Sequence, residues 1–152
     1  MASIDRITKS VVLKAPRSKV WRALTTPSNF GKWFGAKLGG TFVPGQQTRG
    51  PITYPGYEHL TMEMNIEKLE PERYFSWRWH PYAVDPNVDY STEPTTLIEF
   101  TLEEVPGGTK LTVVESEFDN IPAHRREEAF RRNEEGWTVQ MENINNYVRS
   151  AA

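Results

Sequence analysis

Residues 11–35, VVLKAPRSKVWRALTTPSNFGKWFG, decide the fold because they predict a strand followed by two short helices. The strand ends at Ala15-Pro16, and proline suits the first turn of a helix because its missing N–H needs no partner there. One face of the first predicted helix is apolar at i, i+3, i+4 spacing, through Val20, Ala23 and Leu24.

The second helix of this stretch is predicted to begin after Thr26-Pro27, an N-cap followed by a first-turn proline. Its apolar face consists of Phe30, Trp33 and Phe34, and Gly35 can close it as a C-cap. Two helices this short and this apolar are not stable alone. They must therefore cover a larger hydrophobic element.

The middle of the chain predicts an antiparallel sheet. Four stretches alternate between apolar and polar residues, the pattern of half-buried strands: 60–69, 73–80, 95–105 and 110–118. The last two are joined by the hairpin sequence Pro106-Gly107-Gly108. Two shorter strands are predicted at 37–43 and 48–54. The proline-containing loops 44–56 and 81–94 are candidates for the rim of a site, because long loops are often functional.

The end of the chain predicts one long amphipathic helix over 122–148. Its apolar stripe is Phe130, Trp137, Met141, Ile144 and Val148. A helix of this length spans roughly 40 Å and can cross a whole small domain. A curved antiparallel sheet has one face to cover, and this helix is long enough to cover it. Gly136, inside the helix, suggests a close approach of another backbone or space beside Trp137, or it is an accidental glycine on the surface of the helix.

We therefore predict one α+β domain over residues 1–152, with a curved antiparallel sheet around a long C-terminal helix. The net charge of −2 does not favour a nucleic-acid partner. No apolar run approaches a membrane span and no signal peptide is evident, so we expect a cytoplasmic protein without a membrane partner. The absence of cysteine excludes disulfides and thiolate chemistry. Aromatic residues make up 12% of the chain, which indicates either a well-filled core or large rings that line a cavity.

Motifs for metal or nucleotide chemistry are weak. The three histidines, His59, His80 and His124, lie on different elements without paired ligand spacing. The stretch 85–89 has the D-x-N-x-D opening of a calcium loop, but it lacks the glycine and glutamate that should follow. We expect no metal and no cofactor.

Several segments together resemble a known family. They are residues 15–16, 20–27, 33–35, 75–81 (FSWRWHP), 107–116 (GGTKLTVVES) and 133–137 (NEEGW). In this order and spacing they resemble the bacterial family named after the activator of the 90-kDa heat-shock chaperone ATPase, in the START-like (SRPBCC) superfamily. The resemblance implies a helix-grip fold with a hydrophobic cavity between sheet and helix. The eukaryotic activator carries a further chaperone-binding domain for which these residues leave no room, so a chaperone partner is kept only as an alternative.

Glu115 is the acid of most interest because it follows Leu111 and Val113 on the inward phase of its strand. A carboxyl group beneath a long helix would lose water, and its pKa would rise unless it were paired. It could orient a ligand or act as a general base, or it could be a structural residue at the end of the strand. Glu117 has the same phase and the same alternatives.

The predicted function is binding of a small hydrophobic or amphipathic molecule between the sheet and the C-terminal helix. The expected site residues are the apolar Phe34, Met62, Trp77, Trp79, Phe130, Trp137 and Met141, with Glu115 as the polar handle. Two alternatives remain: a protein-interaction module such as a chaperone partner, and an enzyme acting on a cyclic or polyketide-like substrate. No catalytic residue is identified.

Overall fold

The computed structural model describes residues 5–85 and 87–150, with the backbone alone for Ser150. The elements in chain order are β1 (Ile7–Leu13), α1 (Arg17–Thr25), α2 (Pro27–Phe34), β2 (Gln47–Pro51), β3 (Thr61–Glu70), β4 (Tyr74–Trp79), β5 (Thr96–Val105), β6 (Gly108–Ser116), a 3₁₀ turn (Phe118–Asn120) and α3 (Ala123–Ser150). This order confirms the predicted α+β class.

All six strands form one antiparallel, curved sheet in the order β1-β6-β5-β4-β3-β2. The inward phase of the strands is as predicted. Met62, Met64 and Ile66 of β3, Phe75 and Trp77 of β4, Ile98 and Phe100 of β5, and Leu111 and Val113 of β6 are buried. The helices α1, α2 and α3 cover the face that these side chains form, so the core lies between the sheet and the helices.

The opening segment folds largely as its sequence predicts. Val20, Ala23 and Leu24 of α1 are buried, and α2 begins at Pro27 and ends at Gly35, whose φ is +101°. Pro16 differs in detail, because it lies just before α1 with an extended backbone (φ −69°, ψ 157°) rather than inside the first turn. The Thr26 side chain makes no capping hydrogen bond, so the backbone alone starts α2.

The prediction of a strand at 37–43 is wrong. Only Ala36 joins the sheet there, through a single bridge to Ile52. Leu38 and Phe42 are buried instead by an irregular chain. The left-handed backbone of Gly40, with φ +75°, is incompatible with an extended strand. The following strand is also shorter than predicted and ends at Pro51.

The helix α3 carries the predicted stripe. Trp137, Met141, Ile144 and Val148 are buried, and Phe130 is half-buried near the start of the helix. The close approach suggested for Gly136 is wrong, because a Cβ built there meets no atom within 4 Å among the described residues. Within the described part of the chain, no helix has the length and apolar character needed to span a membrane.

Candidate functional site

A cleft of about 620 Å³ opens at one end of the sheet, where β3, β4, α2 and α3 meet the loop that follows β4. Its lining mixes aromatic, aliphatic and polar side chains. The described lining residues are Phe34, Gln47, Ile52, Leu60, Thr61, Met62, Glu63, Asn65, Trp79, His80, Tyr82, Ala83, Val84, Val88, Asp89, Tyr90, Ser91 and Asn133. The segments predicted as a rim, 44–56 and 81–94, both contribute.

The inner wall of the cleft contains three side chains from three elements. Phe34 comes from the end of α2, Trp79 from the end of β4, and Asn133 from α3. The Phe34 and Trp79 rings lie 5.9 Å apart between centroids. The carbonyl of Phe34 accepts a hydrogen bond of 2.9 Å from the Gln140 side chain, which fixes the end of α2 against α3.

The outer wall is the irregular loop that follows β4, and Arg125 holds it in place. The Arg125 guanidinium pairs with Glu93 at 2.9 Å, and both side chains are largely buried, at 13% and 14% exposed. It also donates to the carbonyls of Pro81 and Tyr82, at 3.0 and 3.1 Å. One cation of α3 thereby joins both ends of the loop, so the cleft has a preformed wall.

Directly behind the inner wall lies a buried carboxyl group, Glu115, with no exposed surface. It accepts hydrogen bonds from four side chains. These are the indoles of Trp79 (2.7 Å) and Trp137 (2.8 Å), the hydroxyl of Thr96 (2.6 Å), and the amide of Asn133 (3.0 and 3.1 Å to the two carboxyl oxygens). Two of the donors, Trp79 and Asn133, also line the cleft. The carboxyl group therefore fixes two side chains of the inner wall.

Burial dominates the electrostatics of this group. Loss of water raises the pKa of Glu115 above its ordinary value of 4.5, while the bonds from Thr96, the two indoles and Asn133 act in the opposite direction. No Lys, Arg or His of the described chain forms an ion pair with it. The predicted rise of the Glu115 pKa is confirmed, and the groups that pair with this carboxyl group are neutral hydrogen-bond donors.

The space between the middle of the sheet and α3 is filled by aromatic rings. Trp77 has its ring centroid 5.2 Å from that of Phe100 and 6.4 Å from that of Trp137. Phe30 completes the cluster, 5.6 Å from Trp77. The indole N–H of Trp77 is the buried side-chain polar atom that lacks a hydrogen bond among the described residues. The rings here pack as core.

The predicted site residues thus fall into three positions. Phe34, Met62 and Trp79 line the cleft. Glu115, Trp77, Trp137 and Met141 are buried behind it. Phe130 packs on Phe118, with ring centroids 5.2 Å apart, and does not line the cleft.

Sequence reasoning missed Asn133 and the loop residues Tyr82 and Tyr90. The signal for Asn133 was present, because it precedes the buried Trp137 by four residues and so shares its helical face. Glu117 does not continue the inward phase: its backbone is left-handed, with φ +75°, and its carboxylate pairs with Arg78 at 3.0 Å.

In the described part of the chain, no three His, Cys, Asp or Glu side chains group in a way that could hold a metal ion. His80 lies at the cleft, with its Nε2 3.0 Å from the carbonyl of Glu93. In the stretch that opens like a calcium loop, the carboxylates bond the chain itself: Asp85 accepts from the N–H of Asn87, and Asp89 from Ser91.

A six-stranded antiparallel sheet with two short helices after its first strand and a long C-terminal helix defines the class of proteins with a helix-grip (START-like) fold. Within that class, the chain belongs to the family of activator of Hsp90 ATPase homolog 1-like proteins, whose model matches residues 14–149. The resemblance predicted from the sequence is confirmed.

Solved structures share the whole architecture. A protein of Mesorhizobium loti is 21% identical with a TM-score of 0.75, over 97% of this chain and 98% of that chain. The Aha1 dimer of Colwellia psychrerythraea is 21% identical with a TM-score of 0.70, over 95% and 96%. DynU16, of the dynemicin biosynthetic locus, is 23% identical with a TM-score of 0.73, over 96% of this chain and 48% of that chain. At these identities the likeness concerns the fold alone. Comparison with curated proteins gives no match.

Proposed function

We propose that this protein binds a small amphipathic molecule in the cleft between Trp79 and the loop that follows β4. The observation that carries the proposal is the cleft itself, which has a volume of about 620 Å³ and an aromatic inner wall. Pockets for small molecules usually have volumes of about 300–1,000 Å³ and combine apolar walls with a few polar groups. The sequence predicts a ligand between the sheet and the C-terminal helix. Packed rings fill the space beneath the middle of that helix, so we place the ligand in the cleft at the end of the sheet.

Both walls of the cleft are held in place, which favours a ligand-binding site over an incidental depression of the surface. Trp79 is held by Glu115 and the outer loop by Arg125, so ligand entry would order few side chains. Ordering costs are a main reason why buried area fails to become affinity. Apolar burial would supply about 25 cal/mol per Å² before these costs.

The test is calorimetric titration with 4-biphenylmethanol, an amphipathic probe with an apolar body and one hydroxyl. Ala83 is half-buried on the cleft wall, and Ala83→Phe would fill part of the space. We expect binding to the unmodified protein and at least tenfold weaker binding to Ala83→Phe. Val139→Phe is the matched control, because Val139 is 48% exposed on α3 and does not line the cleft. Equal affinity for both variants would contradict the proposed location.

A protein-interaction role remains the second candidate, since the Colwellia relative is described as a dimer. Large exposed apolar side chains occur on β1 (Val12), on α3 (Val139), and in loops (Val43, Tyr54, Tyr57 and Val88). Sedimentation at several protein concentrations separates the candidates: a concentration-dependent dimer without probe binding would favour association. The enzyme alternative would require a polar group in the cleft, such as His80, whose loss abolishes turnover while binding survives.

A further inference from the structure

The charge of the cleft lining is one-sided. Among the described lining residues two are acids, Glu63 and Asp89, and none is lysine or arginine. Two hydrogen bonds from Ser91 hold the pKa of Asp89 below its ordinary value, so its carboxylate stays ionised. Anionic ligands therefore find no lysine or arginine on this lining.

The cations near the rim already have partners. Arg49 pairs with Glu63 at 3.4 Å, and Arg125 pairs with Glu93 at 2.9 Å. Arg132 lies over the ring of Tyr82, 5.5 Å from its centroid, with its guanidinium 3.7 Å from the carboxylate of Glu128. A carboxylate ligand would have to compete with a protein acid for each of these three cations.

The inner wall supplies a directed acceptor. The Nδ2 atom of Asn133 donates to both oxygens of Glu115, at 3.0 and 3.1 Å, which fixes the orientation of the amide. The Oδ1 atom on the other branch of that amide has no hydrogen bond within the described residues, and it is not a fully buried atom. Asn133 lines the cleft and its Nδ2 atom is bonded to Glu115, so Oδ1 is the amide atom that remains for a ligand to bind.

We propose that the cleft selects a ligand whose head group is an uncharged or cationic hydrogen-bond donor, an alcohol or an amine, bound to Oδ1 of Asn133 with its apolar body against Trp79 and Phe34. This inference rests on the proposed function and names the chemical class of its ligand. Glu115 is a positioning residue in this scheme, because it acts only through the amide of Asn133.

The experiment compares four ligands with one apolar body. They are 4-biphenylmethanol, 4-biphenylmethylamine, 4-(methoxymethyl)biphenyl and 4-biphenylcarboxylate, titrated calorimetrically at pH 7. Methylation of the alcohol replaces the donor hydrogen by a methyl group and keeps the oxygen. One hydrogen bond is worth about 0.5–1.5 kcal/mol, so we expect binding of the ether to be about three- to tenfold weaker. We expect the carboxylate to bind at least tenfold more weakly than the alcohol.

Variants separate the roles of the residues. Asn133→Ala should abolish the difference between alcohol and ether. Asn143→Ala should preserve it, because Asn143 lies on the same helix but bonds Gln140 away from the cleft. In Glu115→Gln the amide of Asn133 can turn over to accept a hydrogen bond from the new side-chain NH₂ group. The preference for the alcohol over the ether should then fall. If Glu115 had a purely structural role, its replacement would leave this preference unchanged.

Equal binding of alcohol, ether and carboxylate to the unmodified protein would overturn the inference and leave the proposed function intact. Absence of binding by all four ligands would overturn both. The comparison on the unmodified protein decides the matter even if a variant fails to fold.

Discussion

Glu115 accepts hydrogen bonds from four side chains although it has no exposed surface and no ion-pair partner among the described residues. A buried acid without a cation bears its full desolvation cost, and neutral donors offset only part of it. The four donors come from β4, β5 and α3, so the carboxyl group joins the sheet to the long helix. Its two oxygens accept hydrogen bonds that fix the positions of the Trp79, Trp137 and Asn133 side chains.

Replacement of Glu115 by glutamine should destabilise the fold by about 1–3 kcal/mol, because one of the two indole N–H groups would then face an NH₂ group instead of an oxygen. Urea unfolding followed by tryptophan emission measures this difference. Glu103→Gln, on the exposed face of β5, should stay within about 0.5 kcal/mol of the unmodified protein. Equal effects at both positions would show that the hydrogen bonds to Glu115 contribute little.

The raised pKa of Glu115 also predicts that the stability of the protein depends on pH. The folded state holds this proton more tightly than the unfolded state, whose pKa is near 4.5. The free energy of unfolding contributed by Glu115 should therefore fall as pH rises from 4.5 through the folded pKa. Unfolding curves at a series of pH values, with Glu115→Gln as the reference, measure this contribution. A contribution that rises with pH over this range would contradict the shift.

At the scale of single residues, the sequence predicted that Glu115 points inward but not which side chains surround it. Alternation on β6 predicted that Glu115 points inward, as it does. Its partners Trp79 and Trp137 lie 36 and 22 residues away, and their approach depends on how α3 lies across the sheet. Periodicity gives the face of an element that is buried, but not which side chains of two elements meet.

Gly31 of α2 and Gly136 of α3 have different surroundings, so replacement by alanine should change the stability in opposite directions at the two positions. A Cβ at Gly31 of α2 would lie 2.1 Å from the carbonyl oxygen of Ala36, whereas a Cβ at Gly136 of α3 meets nothing within 4 Å. Gly31→Ala should destabilise by about 1–3 kcal/mol. Gly136→Ala should stabilise by about 0.5–1 kcal/mol. Chemical denaturation measures both, and a loss of stability in Gly136→Ala would mean that the space there is needed.

Elements with regular patterns were predictable, and the irregular ones were not. The stripe of α3 and the phase of β3 to β6 follow from periods of about 3.6 and 2. The segment 37–43 contains apolar residues that suggest a strand, but Leu38 and Phe42 are buried without strand pairing. The loop after β4 was expected to be long, but the way it is held in place could not be predicted. It is attached by a hydrogen bond from Arg125 to Glu93, which lies 32 residues earlier in the chain.

For the molecule as a whole, the aromatic residues have two separate roles. Phe30, Trp77, Phe100 and Trp137 fill the space between sheet and helices, where centroid distances of 5.2–6.4 Å mark packed rings. Phe34 and Trp79, at the end of the sheet, reach the cleft. Composition alone predicted an excess of rings, and only the fold separates those that build the core from those that face a ligand.

The most direct test follows the indole N–H resonances of the five tryptophans in ¹⁵N-labelled protein during titration with 4-biphenylmethanol. The Trp79 resonance should shift most, because its ring lines the cleft. Trp33, whose N–H bonds the carbonyl of Ala23 at 2.8 Å in the core, should stay nearly unchanged. A saturable shift led by Trp79 is the predicted result. Saturable shifts led by Trp33 or Trp77 with Trp79 unmoved, or no shift at all, would contradict binding in the cleft.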